Sequence, residues 1–123
     1  MKNLNLNGTP VSQLIERFTL VTLGQFKAEL LDENATYNKL FREMTAIERE
    51  LKSRPGDQRI ALTALYNHPN PQVRLMAAQA TLAVAPAAAR QVLQNISDRE
   101  EWPQAVDANG TLRRLDRGDR RPT

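Results

Sequence analysis

Apolar residues return every three or four positions along this chain, broken by short polar or proline-bearing gaps, which is the pattern of successive amphipathic helices. Residues 1–9 are Asn-rich, show no period and read as a flexible arm. Thr9-Pro10 offers a capping hydroxyl and a proline in the first turn, and Val11, Leu14, Ile15, Phe18, Val21, Phe26 and Leu30 predict a first helix over 10–30. After the polar break Asp32-Glu33-Asn34, the stripe Tyr37, Leu40, Phe41, Met44, Ile47 and Leu51 predicts a second helix that ends near Ser53. Arg54-Pro55-Gly56-Asp57 stops it and supplies an aspartate to cap a third helix carrying Ile60, Ala61, Ala64 and Leu65.

The next corner, His68-Pro69-Asn70-Pro71, is stiffened by two prolines, and Asn70 is placed to cap a fourth helix starting at Pro71. Alanines at 77, 78, 80, 83 and 85 follow, small enough to let neighbouring helices approach closely. Pro86 opens a fifth helix with Ala89, Val92, Leu93 and Ile96, ending at Ser97-Asp98. A sixth is predicted from Trp102-Pro103 to Arg117, with Val106, Leu112 and Leu115 inward and Gly110 a weak point. The third with the fourth and the fifth with the sixth make two helix pairs of similar length, a repeat of element order more than of residue identity, which the first two helices would cap. The expected fold is all-α: a short HEAT-like α-α superhelix of about six helices in antiparallel pairs, one domain over 10–117, with a basic disordered tail over 118–123.

Asn70-Pro71-Gln72-Val73-Arg74-Leu75-Met76-Ala77-Ala78 resembles the start of a HEAT-repeat second helix, where a capped proline turn leads into Val-Arg and then alanine. Over a longer span, Tyr37-Asn38-Lys39-Leu40-Phe41, His68 to Arg74, Ala80 to Pro86 and Trp102-Pro103-Gln104-Ala105 resemble a bacterial family known only as the domain of unknown function numbered twenty-nineteen. That resemblance covers residues 10–117 and implies a compact helical domain, with no activity, cofactor or catalytic residue to carry over. HEAT-like proteins line a concave surface with successive second helices, which here implies the fourth and sixth.

Composition narrows the chemistry. With 123 residues, 41% hydrophobic and 25% charged, the chain has the make-up of one globular domain. No cysteine is present, so disulfides and thiolate chemistry are excluded and a reducing cytoplasm is the expected compartment. Neither a signal peptide nor a membrane span is read; the weakly polar run 77–89 is too short and is broken by Gln79, Thr81 and Pro86. The net charge of +3 comes from Arg113, Arg114, Arg117, Arg120 and Arg121 set against Asp116 and Asp119, and residues 1–112 balance at 12 basic and 12 acidic side chains. The tail arginines lack interleaved aromatics to stack on bases, so nucleic acid is not the expected partner.

His68, the only histidine, lacks a second histidine for a metal and is expected to brace the corner. Glu43, Glu48 and Glu50, interspersed with Arg42, Arg49 and Lys52, read as a charged outer face. No nucleophile, phosphate-loop, dinucleotide or metalloprotease motif appears, so neither an enzyme nor a cofactor is expected. Arg74 is expected to bridge repeats by binding a carboxylate such as Asp107 or Asp57, or a backbone carbonyl, and Trp102 to close the end of the core. The function expected is a non-enzymatic module holding a protein or peptide on a short concave face, with Gln72, Arg74, Gln79, Trp102, Gln104, Asp107 and Arg113 as candidate contacts. The alternatives are a nucleic-acid binder using the arginine-rich tail and an immunity protein that neutralises a toxin.

Overall fold

A computed structural model describes residues 5–123; of the arm expected over 1–9, residues 1–4 lie outside the described part. The fold is all-α, with no strand among the described residues. Among the described residues there are five α-helices: α1 (Val11–Leu30), α2 (Asn34–Ser53), α3 (Pro71–Ala80), α4 (Pro86–Asp98) and α5 (Gln104–Asp116). A 3-10 helix, Gln58–Asn67, stands between α2 and α3. The chain divides between Ala61 and Leu62 into two compact units. None of the helices among the described residues is long and apolar enough to cross a membrane.

In the first unit α1 and α2 pack as an antiparallel hairpin. Leu14, Phe18, Val21 and Ala28 of α1 and Met44, Ile47 and Leu51 of α2 are buried, the 3.6-residue stripes that the pattern predicts. The hairpin turns through a Schellman motif: the amides of Asp32 and Glu33 donate to Glu29 and Ala28 carbonyls, with Asp32 in the left-handed region at φ 55°. Gly24 lets the helices close up, since a Cβ there would lie 2.9 Å from Leu40 Cδ1. The start of α1 differs from expectation. Thr9 makes no side-chain cap, and its carbonyl instead accepts Arg54 Nη2 at 2.6 Å, while Arg54 Nε binds Glu50. Phe41 and Leu30, predicted inward, are exposed, Phe41 beside Tyr37 in an offset ring stack. Glu43 also corrects the outer-face reading: it is buried and ion-paired with Arg17 of α1, so its charge is matched inside the hairpin.

The third predicted helix is 3-10, not α. Leu62 and Leu65 stand three residues apart, the spacing of a 3-10 ridge, and within the helix only Leu62 is buried, so there is little packing to widen the winding.

In the second unit α3, α4 and α5 alternate in direction around a core of Leu75, Ala78, Leu82, Ala89, Leu93, Ile96, Ala105, Ala108 and Leu112. Asn70 caps α3 as expected, its Oδ1 accepting the Gln72 amide at 2.8 Å with Pro71 in the first turn. The helix stops at Ala80, so Ala83 and Ala85 of the alanine-rich run lie in the turn that follows it. Thr81 explains this: its hydroxyl donates back to Ala77 O at 2.8 Å and therefore accepts from Tyr66 OH, and its carbonyl takes the amides of Val84 and Ala85. Pro86 then disfavours a helical conformation at Ala85. The sixth helix begins two residues late, at Gln104, and its buried stripe is Ala105, Ala108 and Leu112 rather than Val106. Its C-terminus closes on a second Schellman motif at Gly118 (φ 76°), with Asp119 and Arg120 amides donating to Arg114 O, so the arginine-rich segment is tied to α5 at its start.

Candidate partner-binding face

The candidate contacts fall on α3, α5 and the turn before α5, all within the second unit. Hydrogen bonds set the two helices parallel. Gln104 Nε2 donates to Gln72 Oε1 at 3.0 Å, and Gln79 Nε2 donates to Asp107 Oδ1 and Thr111 Oγ1, both at 3.1 Å. Gln104, Asp107 and Thr111 lie at i, i+3 and i+7 of α5, hence on one side of it. Of these residues Gln104 and Thr111 are buried and Asp107 is exposed. The glutamines expected as free contacts thus mostly bind each other, joining α3 to α5, and leave Asp107 at the edge.

Arg74 is buried at 8% exposure. Its Nη1 and Nη2 donate to Glu101 Oε1 and Oε2, each at 2.7 Å, and its Nε donates to His68 O at 2.8 Å. The bridging role expected of Arg74 is present, but its carboxylate is Glu101, not Asp107 or Asp57; Asp57 binds Arg59. The hydrogen bonds from Arg74 hold the Glu101 carboxyl below its ordinary range, and the same bonds raise Arg74. Glu101 reaches Arg74 because α4 ends in a third Schellman motif, with Glu100 left-handed at φ 52° and the Glu101 amide donating to Ile96 O. No hydrophobic period points to this partner, which is why pattern reading misses it.

Trp102 follows that latch and is 58% exposed, so the expectation that it closes the core is corrected. The residues that fill the core here are the alanines of α5, which leave no room for an indole between α4 and α5. Val106 is exposed at 62%, and Arg113, one heptad on, lies on the same stripe of α5. Trp102, Val106, Asp107 and Arg113 therefore form an outward surface at α5, while Arg74 and Gln104 sit inside it. Among the described residues no group of three or more His, Asp or Glu side chains is placed to hold a metal ion.

Helices packed around one core, with a latched corner between α4 and α5, make the second unit a small helical domain. The model of the family described as Domain of unknown function (DUF2019) matches residues 12–116, and the chain belongs to that family. It is similar to the crystal structure of the protein RPA1889 from Rhodopseudomonas palustris CGA009, with 44% identity and a TM-score of 0.93, over 98% of this chain and 100% of that one. None of the curated proteins matches the chain.

Proposed function

We propose that this chain is a non-enzymatic helical-repeat module that holds a protein or peptide partner on the outward face of α5. The observation that carries the reading is Trp102: the chain's one tryptophan is 58% exposed in the turn that leads into α5, on which Val106 is 62% exposed and Asp107 and Arg113 carry exposed charges. A large aromatic left in water costs hydration free energy, and tryptophan is enriched where interfaces concentrate their binding energy. The HEAT-like part of the reading draws support from register. Gln72 with Gln104 and Gln79 with Thr111 are both 32 residues apart, a constant offset that second helices of adjacent repeats would have, though shorter than the usual HEAT period of about 40–47 residues. The nucleic-acid alternative has less support, because Arg117 pairs with Asp119 and Arg90 with Asp116 at the same end.

The test uses tagged full-length protein, a variant lacking 118–123 and Trp102→Ala, with helicity matched by circular dichroism, in nuclease-treated bacterial lysate. One protein retained by the first two and lost with Trp102→Ala is expected, and with that protein purified the alanine variant should bind at least about tenfold more weakly. Equal binding by Trp102→Ala would overturn the reading. Retention that needs both the tail arginines and nucleic acid would transfer it to the alternative.

A further inference from the structure

The second unit holds a half-open cleft of about 460 Å³, walled by His68, Arg74, Val92, Asn95, Arg99 and Glu101. Its hydrogen-bonding groups are unevenly spent. His68 Nδ1 accepts the Asn70 amide at 3.0 Å, which fixes the neutral ring as the Nε2–H tautomer and leaves that N–H as a donor. Asn95 Oδ1 already accepts Gln91 Nε2 at 2.9 Å, so the side chain offers its NH₂. Arg99 is exposed and makes no direct ion pair among the described residues, although its charge lies near enough to Glu101 to help lower that carboxyl. The cleft's one carboxylate, Glu101, has both oxygens taken by Arg74, which retains two further N–H groups. The Tyr66 hydroxyl, also at this wall, is turned to Thr81, leaving its ring and Val92 as apolar surface.

Counted together, the free donors of the wall outnumber its free acceptors, Asn67 supplying one of each from its side-chain amide, and two guanidinium charges stand against one carboxylate. Its volume falls in the range that holds a small organic ligand. We propose that this cleft is a binding site for a small molecule bearing one anionic oxygen group, carboxylate or phosphate, on an apolar body. The anionic oxygens take Arg99 and the Asn95 and His68 donors, and the body lies along Val92 and Tyr66. The site is separate from the α5 surface and does not depend on Trp102.

Full-length protein is titrated with phenylacetate, phenyl phosphate and the uncharged 2-phenylethanol at about 0.15 M salt, where long-range attraction to the tail is screened. The His68 ring and Asn95 side-chain signals are followed by NMR. Saturable shifts are expected with at least one anion and not with the alcohol, and the preferred anion tells carboxylate from phosphate. Arg99→Gln, an exposed change whose helicity is matched to wild type by circular dichroism, should weaken that anion about tenfold, while Trp102→Ala should leave it unchanged. The proposal is overturned by shifts that do not saturate, that the alcohol reproduces, that centre on residues 113–121, or that Arg99→Gln leaves as they were.

Discussion

Replacing Glu101 by glutamine keeps the shape of the side chain and removes the charge that matches Arg74. Arg74 is 8% exposed and the Glu101 side chain 22%, so the pair is mostly but not wholly withdrawn from water. Breaking a fully buried pair costs about 3–5 kcal/mol, and a single charge-assisted hydrogen bond contributes about 1.5–3. The residual exposure of Glu101 places Glu101→Gln near the lower of these, at about 2 kcal/mol, or roughly 8 °C in Tm for a chain of this size. Arg74→Met should cost somewhat less, because Glu101 can turn to solvent, although His68 O loses its donor. In a double-mutant cycle read by urea unfolding at 222 nm, the pair should show a coupling of about 1.5 kcal/mol. The pH arm carries a sign. Glu101 is held below its ordinary value near 4.5 chiefly by its hydrogen bonds to Arg74, so its contribution is complete above that value and is lost as the pH falls through the lower folded one. The wild-type chain should therefore lose its advantage over Glu101→Gln only in acid, below about pH 4.5. Strictly additive single changes, or a gap between the two proteins that does not narrow in acid, would refute the account of the latch.

Two further predictions concern the backbone. Asp32 and Glu100 occupy left-handed positions at φ 55° and 52° that glycine adopts without strain, so Asp32→Gly and Glu100→Gly should each raise stability by about 0.5–1 kcal/mol in urea unfolding. A loss in either would mean that the side chain contributes more than the strain costs. Gly110 lies inside α5, where an added Cβ meets only the movable end of Arg114 at 3.2 Å, so Gly110→Ala should stabilise by about 0.5–1 kcal/mol through helix propensity, and a lower Tm would show that Arg114 cannot yield.

Periodicity and proline placement made most of the helices legible. The Asn70-Pro71 cap was readable to the residue because both its parts are local. What escaped reading depends on contacts distant in sequence. Glu43 looks solvated beside Arg42 and Glu48, and only the return of α1 with Arg17 makes it a buried partner. In α5 the larger apolar residue, Val106, drew the core assignment, yet close helix packing selects Ala105 and Ala108. Arg74 was legible as a bridging group from its place at a helix start, but its partner depends on a left-handed turn at a glutamate, a conformation that composition does not announce. The candidate face inherits the same limit: the glutamines are polar whether they face solvent or each other, and only the parallel register of α3 and α5 decides it.

The placement of Trp102 also fixes what light the molecule emits. A single indole standing half in water, outside the packed alanines of α4 and α5, already has much of the surroundings it would meet in an unfolded chain. Its emission should shift little when the core melts, and strongly when a second surface excludes water from the ring. The chain thus carries a native optical reporter that is nearly blind to its own folding and responsive to any surface that covers the Trp102 ring.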